Sequence, residues 1–329
     1  MDNESDEKLS SPSFQKAIQR IRDDSSSGAA ELASKALDAI QNEAIASTDL
    51  PSQNLWQHLL KSAKLLLDTH PEMAALDSVL REFLIKMKST LQEIDSALEP
   101  TEAIQGIGKI LMDELRHREE QTITNLAGYL EPFKTIITLS WSSTVFKGLE
   151  RLVQEGGTQN KTIIVSESRP LLEGRSLATK LAQLGYKVDL IVDAAIGRYC
   201  HDADAAISGA DAVLADGSIL NKVGTYLMAL SCADRDETIP FIVAATTTKF
   251  SYRSLRADYT PTIAKRPSEE VLEDWRELGV TPLNEYFEIV PARLVSVLIC
   301  EKGCFTSGID NQVKQTLQRQ FQPFLGWDF

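Results

Sequence analysis

The sequence predicts an α/β protein in which a helical N-terminal part precedes an open, mainly parallel sheet, and three observations predict it. Up to Pro132 the apolar residues recur at spacings of three and four. Past it they gather in short β-rich runs such as TIITL at Thr135–Leu139 and KTIIV at Lys161–Val165. Segments of helical length separate those runs, which is the βα rhythm of a parallel sheet.

Residues 1–12 carry no apolar periodicity and are expected to form a disordered tail. Helices are then expected at Phe14–Ile21, Ala29–Ile45, Leu55–Leu67 and Leu76–Leu98. In the last of these, Leu80, Phe83, Leu84, Met87 and Leu91 make the stripe that an amphipathic helix needs. Pro51, Pro71 and Pro100 fall in the gaps. Proline lacks an amide hydrogen and turns its predecessor away from helix, so each marks a boundary. A long helix at Glu102–Leu130 lines up Ile104, Ile107, Ile110, Leu111 and Leu115, and Pro132 closes a helical domain at 13–131.

The second domain, 132–329, is expected to hold strands at Thr135–Leu139, Ile163–Val165, Val188–Val192, Ala205–Ile207 and Phe241–Ala244. These runs do not alternate, as in strands buried on both faces. Helices are expected between them at Ser143–Gln154, Arg175–Leu184 and Asn221–Ala233, with right-handed crossovers. The central stretch, Ile207–Leu230, begins as strand and ends as helix, with Asp211, Asp216, Gly217, Asn221 and Lys222 in the turn between. Ligands bind at such turns, outside the carboxyl ends of parallel strands. Thr246–Asn284, with Pro261, Pro267 and Pro282, shows no usable period.

Composition narrows what the site can serve. The chain has 329 residues, 43% apolar and 25% charged, enough for two domains. A net charge of −13 and a pI near 4.9 argue against nucleic acid or an anionic membrane as partner, since both are drawn by a positive field. The opening MDNESDEKLSSPS resembles neither a signal nor a transit peptide, and no apolar run approaches the ~18 residues of a membrane span, so a cytosolic location is expected. Cys200, Cys232, Cys300 and Cys304 lie in apolar surroundings and read as buried thiols. The histidines His58, His70, His117 and His201 make no zinc spacing with them, and no metal or cofactor is implied.

Arg169 and Arg175 follow one strand end and Lys222 another, so the three cations can converge as a phosphate cradle within an acidic chain. Solvated surface charge fits the same spacing. No GxGxxG or Walker loop accompanies them. Asp211 is placed to act as a base or to hold a ligand hydroxyl, whereas Asp193 reads better as a turn or cap residue. Ser140, Ser142, Ser143 and Thr144 follow the first strand, where hydroxyls and helix-start amides bind anions or simply cap the helix. No histidine is placed to activate a serine.

The succession TLSWSSTV at Thr138–Val145, VSESRPLLEGR at Val165–Arg175, DAAIG at Asp193–Gly197, SGADAVLADGSILNKVGT at Ser208–Thr225 and YFEIVPARLV at Tyr286–Val295 resembles one superfamily. It comprises the alpha, beta and delta subunits of translation initiation factor 2B and two isomerases, of ribose-1,5-bisphosphate and of methylthioribose-1-phosphate. The resemblance implies a helical domain followed by a Rossmann-like domain, assembled as a homodimer or higher oligomer. In its isomerases a cysteine after the first strand and the aspartate of a GAD motif interconvert aldose and ketose phosphates. The aspartate is here Asp211, whereas Ser140 stands at the cysteine position. Ser27-Gly28-Ala29 replaces the isomerases' Arg-Gly-Ala, and His70 stands where a later arginine is expected. Arg169, Arg175, Asn221, Lys222, Ser140, Ser142, Ser143 and Gly28 fall at ligand positions of the family. The resemblance thus implies a non-catalytic factor-2B-like protein that binds a phosphorylated sugar or nucleoside monophosphate and regulates guanine-nucleotide exchange on initiation factor 2. Its partners would be initiation factor 2 or other factor 2B subunits; the alternative is an aldose–ketose isomerase. Tyr286, Phe287, Ile289, Leu294 and Val295 are the apolar residues expected to form the dimer interface.

Overall fold

The computed structural model describes residues 10–24, 27–93, 99–156, 161–234 and 239–322. The described residues form two compact units, one of residues up to 117 with 317–322 and one of residues 118–316.

The first unit is built from helices α1 (Pro12–Arg22), α2 (Ala29–Ala46), α3 (Ser52–Leu67), α4 (Ala74–Glu93) and the first part of α5 (Pro100–Leu130). Of the tail expected at residues 1–12, residues 1–9 lie outside the described residues, as do residues 94–98 of the expected helix at Leu76–Leu98. Ser11 already caps α1, its hydroxyl accepting from the Phe14 amide at 3.2 Å, and Pro12 occupies the first turn, where no amide donor is needed. Leu32, Leu59, Leu80 and Phe83 are wholly buried at the centre, and Ile104 and Leu111 of α5 complete that core. The predicted stripes are the faces that meet there.

The second unit carries a seven-stranded sheet. In chain order its strands are β1 (Thr135–Leu139), β2 (Thr162–Ser166), β3 (Lys187–Ile191), β4 (Ala205–Ser208), β7 (Phe241–Ala244), β9 (Val297–Cys300) and β10 (Gly303–Phe305). They lie in the order β10-β9-β7-β4-β1-β2-β3, all parallel except β10, which runs antiparallel to β9. Helices α6 (Ser143–Gln154) and α7 (Glu173–Gln183) follow β1 and β2, a short α8 (Ile196–Cys200) precedes β4, and α9 (Thr225–Ala233) precedes β7. A short α10 (Trp275–Leu278) follows β7, and α11 (Ile309–Gln320) ends the described fold.

Three features depart from the expectations. Asn221 and Lys222 are not the start of a helix but the end of β6 (Ile219–Lys222), in a small antiparallel sheet with β5 (Ala212–Val213) and β8 (Phe287–Val290). Lys222 pairs with Phe287 and Asn221 with Glu288, and the chain turns into α9 only after Gly224, at φ +100°. β3 is an edge strand and is not buried on both faces, for Leu190 is 50% exposed. Cys304 is exposed on the edge strand β10, where alternate residues face solvent, while Cys200, Cys232 and Cys300 are buried as expected. Thr246–Asn284 folds as short 3-10 turns and the four-residue α10. Among the described residues no helix is long and apolar enough to cross a membrane.

Candidate functional site

The strand order locates the crevice. From β1 the chain moves outward through β2 and β3, then returns to lay β4 on the other side of β1. The carboxyl ends of β1 and β4 therefore flank the point where the order reverses, and at such a point neighbouring loops splay apart. Ser140 and Ser142 follow β1 there, and Gly209 and Asp211 follow β4. The two loops come close: a Cβ on Gly209 would lie 2.5 Å from Ser142 Oγ. Ser142 also caps α6, accepting from the Val145 amide at 3.3 Å, and Ser143 opens that helix.

The backbone of this region is strained. Among the described residues, Ser140 (φ 58°), Ser168 (φ 63°) and Leu172 (φ 62°) are the non-glycine residues in the left-handed region: Ser140 follows β1, and Ser168 and Leu172 lie in the loop that joins β2 to α7. Such conformations cost energy and persist where surrounding bonds over-determine them. Those bonds are present. The Ser140 amide donates to Ser168 Oγ at 2.7 Å, and Asp193 accepts from the amides of Ser168 (2.8 Å) and Arg169 (2.7 Å) and from the Ser166 hydroxyl. Asp193 thus fixes the loop after β2, the turn role its position suggested. Gly174, in the first turn of α7, allows the helix to abut β2; a Cβ there would fall 1.8 Å from the Ser166 carbonyl oxygen.

The three predicted cations gather around the loop after β2 and the start of α7, but each has a protein partner. Lys222 Nζ, buried, lies 2.8 Å from Glu173 Oε1 and 4.4 Å from the ring of Tyr286. Arg175 is exposed and clasps Glu167 Oε2 with Nη2 at 2.6 Å and Nε at 3.2 Å. The Arg169 guanidinium reaches the carbonyl oxygens of Glu270 (3.4 Å) and Val271 (3.5 Å). Tyr286 donates its hydroxyl to Glu270 at 2.6 Å; burial first, then this carboxylate, push its pKa up. Asn221 is buried and donates to Thr225 Oγ1 at 2.9 Å, so it shapes the turn into α9. Gly28 belongs to the helical unit, where its carbonyl accepts from the Glu31 and Leu32 amides at the start of α2. His70, in the same unit, donates Nε2–H to the Ile21 carbonyl at 2.8 Å.

Asp211 is half-buried, its amide tied to the Leu220 carbonyl at 2.9 Å. Within its field lies Lys249, a residue the sequence reading passed over although it too follows a strand, in the run FIVAATTTKF. Burial pushes the Lys249 pKa down, and Asp211 and Glu119 pull it back up. The crevice thus brings the hydroxyls of Ser140 and Ser142 to the strand ends that also carry the Asp211 carboxylate, a set suited to an oxygen-rich ligand.

The sequence model of the initiation factor 2 subunit family matches residues 25–307. The chain belongs to that family. Among its relatives in the family, a ribose 1,5-bisphosphate isomerase of Haloferax volcanii is 32% identical over 84% of each chain. A translation initiation factor eIF-2B subunit 2-like protein of Pyrococcus furiosus is 30% identical over 88% of this chain and 94% of its own. The crystal structure of translation initiation factor eIF-2B from Pyrococcus horikoshii superposes with a TM-score of 0.74 at 25% identity, covering 91% of this chain and 99% of that one. Family membership and the α/β fold with N-terminal helices are therefore as the motifs implied, while the names within the family divide between isomerase and translation factor.

Proposed function

We propose that this chain is a non-catalytic, factor-2B-like member of the family. It binds a phosphorylated sugar or nucleoside monophosphate at the carboxyl ends of β1, β2 and β4, and regulates or scaffolds guanine-nucleotide exchange on initiation factor 2 in the cytosol. The carrying observation is Ser140. It occupies the position of the isomerases' cysteine, and a hydroxyl, unlike a thiol with pKa about 8.5, supplies almost no anion near neutrality without a base. Among the described residues no histidine lies at this strand end to serve as one. Arg169, Arg175 and Lys222 receive the phosphate by exchanging their present partners for it, with Ser142 and Ser143 at the start of α6 as further donors.

An aldose–ketose isomerase is the second reading, favoured by Asp211 at the GAD position and by the identity with the Haloferax relative named for that activity. Phosphorus NMR of the purified protein with ribose-1,5-bisphosphate and with methylthioribose-1-phosphate separates the two. The expected result is no turnover above background. Robust turnover that Asp211→Asn abolishes would establish the isomerase instead.

A further inference from the structure

The irregular segment before β8 closes on itself. Lys265 and Glu285 form an antiparallel bridge, and just inside it the Arg266 amide donates to the Asn284 carbonyl at 2.9 Å. The buried Asn284 side chain donates to the Pro267 carbonyl and to Glu270 Oε2, both at 2.7 Å, and Glu270 also accepts from the Tyr286 hydroxyl at 2.6 Å. Within the loop, Ser268 gives its hydroxyl to the Pro282 carbonyl (3.4 Å) and the Trp275 indole donates to Glu269 at 3.2 Å. A surface loop bonded across its neck in this way is a fixed projection, not a loose tether.

Its large apolar side chains are on the outside. Val271, Leu278 (62%), Val280 and Leu283 (83%) are exposed, so residues 271–283 hold four of the thirteen large apolar side chains exposed among the described residues. Singly scattered apolar residues need no explanation, but such a concentration marks an interaction surface. The charges beside them are of one sign. Glu269 is taken by Arg276 at 2.7 Å, whereas Glu273, Asp274 and Glu277 are exposed and make no ion pair among the described residues. Residues 268–283 carry five acids against the single base Arg276, a net charge of −4.

That sign decides the occupant. A second copy would set two such loops face to face in a chain already at −13, and nucleic acid or an anionic bilayer would be repelled as well. We propose that the loop 265–285 is a docking surface for a basic, amphipathic protein segment. The segment's large apolar side chains cover Val271, Leu278, Val280 and Leu283, and its lysines or arginines meet Glu273, Asp274 and Glu277. Covering the apolar side chains supplies the affinity, and the carboxylates supply selectivity and speed of approach. These residues are not the ligand-binding ones, and the docking holds whatever the crevice binds.

Fluorescence anisotropy of the full chain with a labelled helical peptide of leucine and lysine tests it, beside counterparts in which glutamate replaces lysine or serine replaces leucine. The leucine–lysine peptide is expected to bind about tenfold tighter, or more, than either counterpart. Leu278→Ser with Leu283→Ser should weaken it about tenfold or more at an unchanged thermal midpoint, because both side chains are exposed in the free chain. Leu190→Ser with Val192→Ser alters a second exposed pair, at the sheet edge, and should leave the affinity as it is. Glu273→Lys with Glu277→Lys should turn the preference toward the glutamate peptide. Light scattering should give both loop variants the mass of the wild type. Equal weakening by the two serine pairs, or unchanged affinity in the loop pair, would reduce the binding to general attraction by an acidic chain and overturn the proposal. So would failure of the leucine–lysine peptide to bind, or loss of an oligomer in the loop variants, which would make the loop a contact between copies.

Discussion

At the scale of single residues, the closest approach in the site is that of Gly174 to β2. A methyl group there would stand 1.8 Å from a backbone oxygen, Ser166 O, which cannot rotate aside. Gly174→Ala must therefore push α7 off the strand end or bend the loop that Asp193 clamps. Overpacking of this kind costs about 1–3 kcal/mol. The expected outcome is a lower urea midpoint together with lost ligand binding, since Glu173, Arg175 and the loop after β2 all move with the helix start. Gly209→Ala is the control. Its new methyl meets a serine side chain, Ser142 Oγ at 2.5 Å, which can swing away. It should unfold closer to the wild type while still weakening binding, because the displaced hydroxyl leaves the Val145 amide and the crevice. Equal destabilisation by the two substitutions would contradict this account of the junction.

Among the elements, Glu43 of α2 shows how the helical unit is tied together. Its buried carboxylate accepts from the Ser11 amide at 3.1 Å, from the Ser11 hydroxyl, and from His58 Nε2 of α3 at 2.8 Å. Burial, the largest single influence, pushes its pKa up; the bonds from His58 and Ser11 together outweigh it and hold the carboxyl below its ordinary 4.5. A carboxyl depressed in the folded chain contributes stability that is present above the unfolded pKa and is lost as pH falls through the folded one. Urea unfolding at a series of acidic pH values should thus show the wild type losing stability below about pH 4.5 more steeply than Glu43→Gln. Parallel slopes would remove Glu43 from the acid response. The helices and parallel strands of both units were legible because their periodicity records burial along a single segment. β6 was not, because Ile219–Lys222 ends in two polar residues and owes its strand to Phe287–Val290, more than sixty residues away in sequence. The site divides the same way. Ser140, Arg169 and Asp211 stood out by lying just past apolar runs, whereas the acids that engage the cations, and the burial of Lys249, arise from contacts between distant segments that no local pattern carries.

On the scale of the whole molecule, the exposed apolar residues bear on assembly. Of the five residues expected to form a self-association surface, Val295 is buried in the core, Phe287 and Leu294 are half-buried, Tyr286 is engaged by Lys222, Arg266 and Glu270, and Ile289 is an apolar side chain 38% exposed. Leu227 and Leu230 of α9, which packs beside β8, are 44% and 37% exposed. Clustered apolar exposure on one unit marks an interaction surface, and a twofold axis through it lets the same residues serve both partners. We propose that α9 and β8 form the dimer contact. Each fully buried leucine contributes about 1.5–3 kcal/mol, and the axis counts each residue twice. The net charge of −13 opposes this association, so added salt should strengthen it, the reverse of its effect on binding to a polyanion. Light scattering at micromolar concentration should give about twice the chain mass of 36.4 kDa, with the dimer fraction rising from low to moderate salt. Leu227→Glu combined with Leu230→Glu places four like charges across the axis and should yield the monomer with an unchanged thermal transition onset. A wild type that scatters as 36.4 kDa at every salt concentration would show that this surface does not pair with itself.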